Sequence, residues 1–278
     1  MQRRSTGWQR GTTMSKTLYL ECYSGISGDM TVAALLDLGA DREVLKESLK
    51  SLPVGGFRTE ITRVKKSGLD ACDFSVILEQ DNHDHDMEYL HGSEKSYTGH
   101  HEYTHSHEYP HEHRGMKEIT EIIQKSEMTA RAKKMAMRVF GILAQAESKA
   151  HGVPVEEVHF HEVGAVDSIV DIAAIAICMD NLDISNVIVP VLYEGTGFIR
   201  CQHGQIPVPV PAVTHIAETH KLKLKITDIQ GELVTPTGAA VVAAFRTSDR
   251  LPEDFTMLKT GIGAGKRQYR CPGILRAM

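Results

Sequence analysis

Three times in this chain an extended run passes through a glycine turn into an apolar helix pattern, and that recurrence limits the possible folds more than any other feature. TLYLEC (17–22) reads as a buried strand that continues through Ser24-Gly25-Ile26-Ser27-Gly28-Asp29 into the helical TVAALLDLGA. VHFHEVGAVDSIVDIAAIAICMDNL divides into an extended stretch at 158–162, a turn at Gly164 and a mostly buried helix from Asp167 to Leu182. ELVTPTGAAVVAAF repeats the same strand, turn, helix order. Alternating strands and helices predict an α/β fold, with polar ligands expected at the turns between strand ends and helix starts.

The intervening segments fit that class. Residues 41–51 have the spacing of a second amphipathic helix, and FRTEITRVKKSG and LDACDFSVILEQ read as two strands joined at Ser67 and Gly68. Helical spacing returns over 116–125 and 129–150, the latter with Ala132, Met135, Ala136, Val139, Phe140, Leu143 and Ala146 on one stripe. NVIVPVLY is expected to be one strand. Prolines at alternate positions in HGQIPVPVPAV predict an extended or polyproline path before a helix at 214–219, and LKLKIT a further strand.

One stretch departs from this pattern. Between His83 and His113 there are nine histidines, seven acidic residues and four tyrosines, with only Met87 and Leu90 as aliphatic-type residues. So little apolar surface cannot offset the entropy of ordering the chain, which predicts a disordered histidine-rich insertion at 82–115 inside a single α/β domain over 14–278. The polar residues 1–13 read as a disordered lead-in without the apolar stretch that export requires. Five cysteines without a CxxC pair fit a reducing, cytoplasmic setting. With 31 basic against 36 acidic residues there is no cationic excess for gripping nucleic acid, and no run of 18 uncharged apolar residues suggests a membrane span.

The strongest chemical signal is His159-x-His161-Glu162 followed by Asp167 and Asp171. On an extended segment the two histidines point to one side, and the two aspartates share a helix face. Two imidazoles and two or three carboxylates suit a borderline divalent ion such as nickel or zinc. The same spacing also suits a helix cap at Asp167 with histidines hydrogen-bonded in a core, and spacing does not choose between the two. In the histidine-rich stretch, the pairs His83/His85, His105/His107 and His111/His113, with their intervening residues, have the composition of weak, exchanging metal chelators, or of a solvated insertion with no specific role.

Ser24, Gly25, Ser27, Gly28 and Asp29 lie between a strand and a helix start, where backbone N–H groups and the helix dipole favour a phosphate; a plain tight turn fits equally. Thr235, Thr237 and Gly238 have the same character, and a capped helix explains them too. His203-Gly204, with Glu194 and the glycines of EGTG upstream, could supply another ligand, and a structural turn is the simpler reading. No nucleophile elbow or HExxH appears, and no catalytic residue is singled out.

Taken in order, LYLECYSGISGDM, HFHEVGAVDSIVDI, HGQIPVPVPA, ELVTPTGAA and GIGAGKRQ resemble the nickel insertion proteins of the nickel-pincer cofactor pathway, the LarC-type family associated with lactate racemase maturation. Glu21 and Tyr23 stand where that family usually has Asp and commonly Phe. The resemblance implies a nickel chelatase of the lyase class. Ni(II) would enter pyridinium-3,5-bisthiocarboxylic acid mononucleotide, with nickel–carbon and nickel–sulfur bonds formed and CTP, with Mg2+ or Mn2+, consumed to CMP and pyrophosphate. It also implies partners: the mononucleotide, a C-terminal CTP-binding part expected to lie outside this chain or on a separate polypeptide, and the apo target enzyme. The alternative it leaves open is a non-enzymatic nickel buffer or metallochaperone.

Overall fold

The computed structural model describes residues 16–78, 114–160, 166–201 and 204–278, without the side chain of His159. Strand β1 (Lys16–Glu21), expected to be buried, is so on one face only, with Leu18 and Leu20 buried and Tyr19 and Glu21 on the other side. Helix α1 (Gly28–Leu38) is apolar almost all round, which requires an interior position, and it ends where Gly39 turns left-handed at φ 116° and donates to Leu35 and Leu36. Helix α2 (Arg42–Lys50) is the opposite case. Asp41 caps it by accepting from Glu43 and Val44 N–H at 2.9 and 3.2 Å, and it buries only Leu45 and Leu49.

β2 (Phe57–Lys66) and β3 (Leu69–Leu78) form a hairpin in unbroken register. Its two-residue turn has positive φ at both Ser67 (49°) and Gly68 (82°), the primed geometry that matches strand twist. After β4 (Arg114–Gly115) come α3 (Met116–Lys125) and α4 (Ala130–His151), the latter capped by the Thr129 hydroxyl. β5 (His159–Phe160) pairs with β4, and α5 (Val166–Asn181) buries ten of its residues. The rest are β6 (Ile184–Ile188), β7 (Leu192–Thr196), β8 (Phe198–Cys201), β9 (Gly204–Pro207), α6 (Pro211–His220), β10 (Leu224–Gln230), α7 (Pro236–Phe245), β11 (Gly261–Ala264) and β12 (Ile274–Ala277).

The result is mixed α/β. Six strands run in the order β2-β3-β11-β12-β1-β6, with parallel pairs β1/β6 and β3/β11 and the other pairs antiparallel. Helices α1 and α5 pack between this sheet and an outer group of α4, α6 and α7, while β7 and β10 make a separate parallel pair. Among the described residues no helix is long and apolar enough to cross a membrane.

Two expectations need correction. NVIVPVLY is two strands in two sheets: Pro190 has no N–H to continue a ladder, and there the chain leaves the six-stranded sheet for β7. The proline-spaced run is extended at 204–207, as expected, and pairs there with β8 as a hairpin that satisfies its backbone locally. The following helix begins at Pro211 rather than 214, since the missing proline N–H is harmless at the first helical position. The histidine-rich insertion and residues 1–13 lie outside the described residues.

GIGAGKRQ contributes β11, a strand recognisable only from its neighbour. A Cβ on Gly261 would overlap the Ala34 carbonyl oxygen, and one on Gly263 the Met30 carbonyl oxygen, so the strand rests directly on the backbone of α1. Gly263→Val is therefore expected to cost about 1–3 kcal/mol in urea unfolding. Gly55→Ala, with nothing within 4 Å of the new Cβ, should stay within about 0.5 kcal/mol of the parent. Equal losses for the two would contradict the close β11–α1 approach.

Candidate functional site

Two of the recurring turns are bonded to each other and the third helix closes on the first. At the end of β1 the chain turns through Gly25 (φ 83°), which lies so close to the Leu233 carbonyl that no side chain fits. Ile26 N–H donates to Leu233 O at 2.9 Å, and Thr235 N–H donates back to Ile26 O at 3.1 Å. Gly238, in the first turn of α7, meets Ile26 O in the same way, and Gly28, opening α1, meets the Asp171 carboxyl on α5. Glycine at these points brings the N-terminal ends of α1, α5 and α7 together.

The carboxylates at this junction are Asp29 and Asp171. Asp29 accepts from the Ser27 hydroxyl and the Met30 N–H, while the buried Oδ1 of Asp171 has no hydrogen-bond partner among the described residues. Burial, then the Asp29 charge, then Asp167 push the Asp171 carboxyl well above the ordinary range. Burial likewise raises Asp29, against the opposing pull of Ser27 and Lys266. The Lys266 ammonium, just after β11, is anchored on Asp73 (2.5 Å) and Ser75 (2.6 Å) and supplies the nearby positive charge. Two like charges out of water favour a shared proton or a bound cation between them, and an orphaned buried oxygen is a ready ligand atom.

A second carboxylate fastens the same junction from behind. Glu194 on β7 is fully buried, and its Oε1 accepts from Gly195, Leu233 and Val234 N–H at 2.7, 2.8 and 3.1 Å while Oε2 has no partner among the described residues. Burial pushes it up to about 7 despite those three bonds, with Glu232 adding to the rise. Glu232 is itself buried and paired with Arg267 at 2.9 Å, and the Arg267 guanidinium and Tyr269 hydroxyl both donate to its carbonyl at 3.1 Å.

The residues expected from sequence fall as follows. Asp167 is exposed, in the first turn of α5, and accepts from Ser168 N–H at 2.8 Å, while its charge reaches Asp171. His159 lies in β5, its backbone paired with Gly115. His161 and Glu162 lie outside the described residues, as do His83, His85, His105, His107, His111, His113 and His203. Among the described residues no group of three or more His, Cys, Asp or Glu is arranged to hold a metal. Asp29 and Asp171 are a two-carboxylate set flanked in sequence by 161–165.

Ser24 is buried, and Gly25 N–H is taken by Cys22 O at 3.3 Å; Thr235 Oγ1 caps α7 by accepting from Gly238 N–H at 3.1 Å, and Thr237 is buried in its first turn. Many donors of the two turns thus serve the fold. Lys266, Asp73 and the anchoring by Glu194 were not legible from local pattern. The lysine directly after the glycine strand and the lone acid of EGTG were the available signals.

A family described as "Nickel insertion protein" matches residues 18–278. The chain is 53% identical over 265 residues to the pyridinium-3,5-bisthiocarboxylic acid mononucleotide nickel insertion protein of Alkaliphilus metalliredigens (strain QYMF), covering 95% of this chain and 60% of that protein. It is 37% identical over 253 residues to the protein of that name from Acetivibrio thermocellus (91% and 57% covered), and 39% over 264 to a putative nickel insertion protein of Geobacter sp. (strain M21) (95% and 61%). The chain spans about 60% of the length of these curated relatives. No solved structure matches.

Glu194 generates a pH prediction. Its folded pKa of about 7 lies above the ordinary 4.5, so between those values the folded state holds a proton that the unfolded state has released. Stability from this group is therefore full below pH 4.5, falls as pH rises, and is lost above 7. Glu194→Gln keeps the Oε1 acceptor and removes the titration. The variant should gain on the parent by on the order of 2–3 kcal/mol between pH 4.5 and 7.5 in denaturant unfolding. A pH-independent difference between the two would rule the account out.

Proposed function

Because the chain belongs to the nickel insertion protein family, we propose that it takes part in nickel-pincer cofactor biosynthesis by inserting Ni(II) into pyridinium-3,5-bisthiocarboxylic acid mononucleotide. The observation that carries the reading is the pair Asp29 and Asp171, two carboxyls held together at the convergence of three helix starts, with one buried oxygen that has no partner among the described residues, within the family-matched stretch. Nickel is the substrate here and must be released, so imidazole and carboxylate donors suit the task better than thiolates, which would hold it against the acceptor's sulfurs.

In this reading Asp171 and Asp29 provide oxygen ligands. His159, His161 and Glu162, which precede α5 in the chain, provide the nitrogen and further oxygen donors, with Asp167 adding charge. Forming a nickel–carbon bond expels a ring proton, and a carboxylate pair that favours sharing a proton is the acceptor this site offers. The start of α7, at Thr235, Thr237 and Gly238, has no acid in its first turn and is assigned to the phosphate of the mononucleotide, with Ser24 to Gly28 beside it. The histidine pairs between His83 and His113 feed nickel to the site. Turnover with CTP and Mg2+ or Mn2+, as a lyase-class chelatase, and delivery to lactate racemase-type enzymes belong to the whole protein, whose relatives are longer than this chain.

Nickel titration by calorimetry tests the ligand set. Asp171→Asn and His161→Ala are each expected to weaken the tight site by on the order of 10- to 100-fold, while deletion of 83–113 removes only weak sites. Asp171→Asn should also raise the melting temperature of the nickel-free protein, because it removes the repulsion between two half-buried carboxylates. If Asp171→Asn and His161→Ala bind nickel as the parent does and the deletion abolishes binding, the chain is a nickel buffer and the insertion site is elsewhere.

A further inference from the structure

The outward face of β1 carries a feature that the metal chemistry does not use. Alternation places Tyr19, Glu21 and Tyr23 opposite the buried Leu18, Leu20 and Cys22. Glu21 lies across from Arg276 on β12 and is gripped by its guanidinium through Nε and, at 2.6 Å, through Nη2, so this acid is neutralised. Tyr23 remains 49% exposed although it is large, aromatic and immediately before the Ser24–Asp29 turn.

What backs Tyr23 is an ordered stack. Its ring centroid lies 4.9 Å from that of Tyr193, tilted by 39°. On Tyr193 in turn sits the Lys225 ammonium, 4.5 Å from the ring centroid and 3.1 Å from the hydroxyl. Tyr193 is fixed by its own N–H, which donates to Cys22 O at 3.1 Å, and by the parallel pairing of β7 with β10, where Lys225 is its register partner. The exposed ring is therefore held in place before anything binds, and a flat ligand that covers it loses little side-chain entropy in doing so.

We propose that Tyr23, backed by Tyr193 and Lys225, is the stacking platform for the flat pyridinium ring of the mononucleotide. The inference rests on the function proposed above and adds the subsite that positions the organic acceptor. Charge selects the occupant. A cationic ring is attracted to the electron-rich face of a phenol, and the exposed Lys225 ammonium on Tyr193 adds a positive field that favours the anionic thiocarboxylates and phosphate around the ring. The position fits as well, because Tyr23 stands at the carboxyl end of β1, where open α/β sheets bind ligands, one glycine turn from Asp29. Tyr23 is thus a binding and positioning residue, distinct from the nickel ligands.

The test titrates the nickel-free protein with pyridinium-3,5-bisthiocarboxylic acid mononucleotide, following heat and the charge-transfer absorbance of a pyridinium stacked on an electron-rich ring. Tyr23→Ala is expected to weaken binding roughly 5- to 100-fold and to abolish that absorbance, with nickel affinity unchanged. Tyr23→Phe should retain affinity, and Tyr23→Trp should restore it with the absorbance moved to longer wavelength. Parent-like affinity in Tyr23→Ala overturns the platform while leaving the proposed function intact. Displacement of the mononucleotide by CMP in the parent but not in Tyr23→Ala also overturns it, in favour of a nucleobase subsite. A parent protein that binds neither nickel nor the mononucleotide defeats the function itself and the platform with it.

Discussion

Everything in this molecule depends on two backbone hydrogen bonds between turns some two hundred residues apart, Ile26 N–H to Leu233 O and Thr235 N–H to Ile26 O. They form because Gly25 and Gly238 have no side chain where the opposite turn passes, and because Glu194 holds the second turn by three N–H groups. One side-chain oxygen that satisfies three buried donors fixes the loop by leaving none of those N–H groups orphaned, although burial costs more than the three bonds return to the ionised carboxylate. Without that fastening α1 and α7 would begin in different places, and the acids on α1 and α5 would not share a junction with the second turn.

The same construction leaves the fold with acids it would be more stable without. Among the described residues Asp29 and Asp171 repel one another with Lys266 as countercharge, and Glu232, paired with Arg267, adds to the rise at Glu194. Burying like charges disfavours the ionised forms, so such arrangements are expected at sites that bind cations or move protons rather than at sites that only hold a fold together. Around this strained centre the protein is conventional. Helices apolar all round occupy the middle, α2 and α3 offer one buried face at the rim, and the long β2–β3 hairpin is fixed by its own turn.

Much of this was readable in advance. The helices over 41–51 and 129–150, the hairpin turn at Ser67-Gly68 and the stripe from Ala132 to Ala146 are written in neighbouring residues, and these elements formed as expected. The motifs suggested the family that the comparisons then matched. Other elements were hidden. β11 and β12 are four residues each, and β12 pairs with β1 across nearly the whole chain, with Arg276 and Glu21 255 positions apart. Short strands without periodicity take their identity from a partner, and no local window contains it.

For the site, the sequence alone determined the chemistry on offer: imidazoles and acids before α5, glycine turns at three helix starts, hydroxyls at α7, and an aromatic at Tyr23. These follow from residue type and spacing, which the chain carries wherever it folds. Only the tertiary structure decided which of them meet. It set Asp29 against Asp171 rather than leaving Asp171 with Asp167 alone, brought Lys266 to that pair, turned Glu194 into the fastener of a distant loop, and stacked Lys225 and Tyr193 behind Tyr23. The reason is that proximity between distant residues follows from sheet pairing and helix packing, which depend on the whole chain at once.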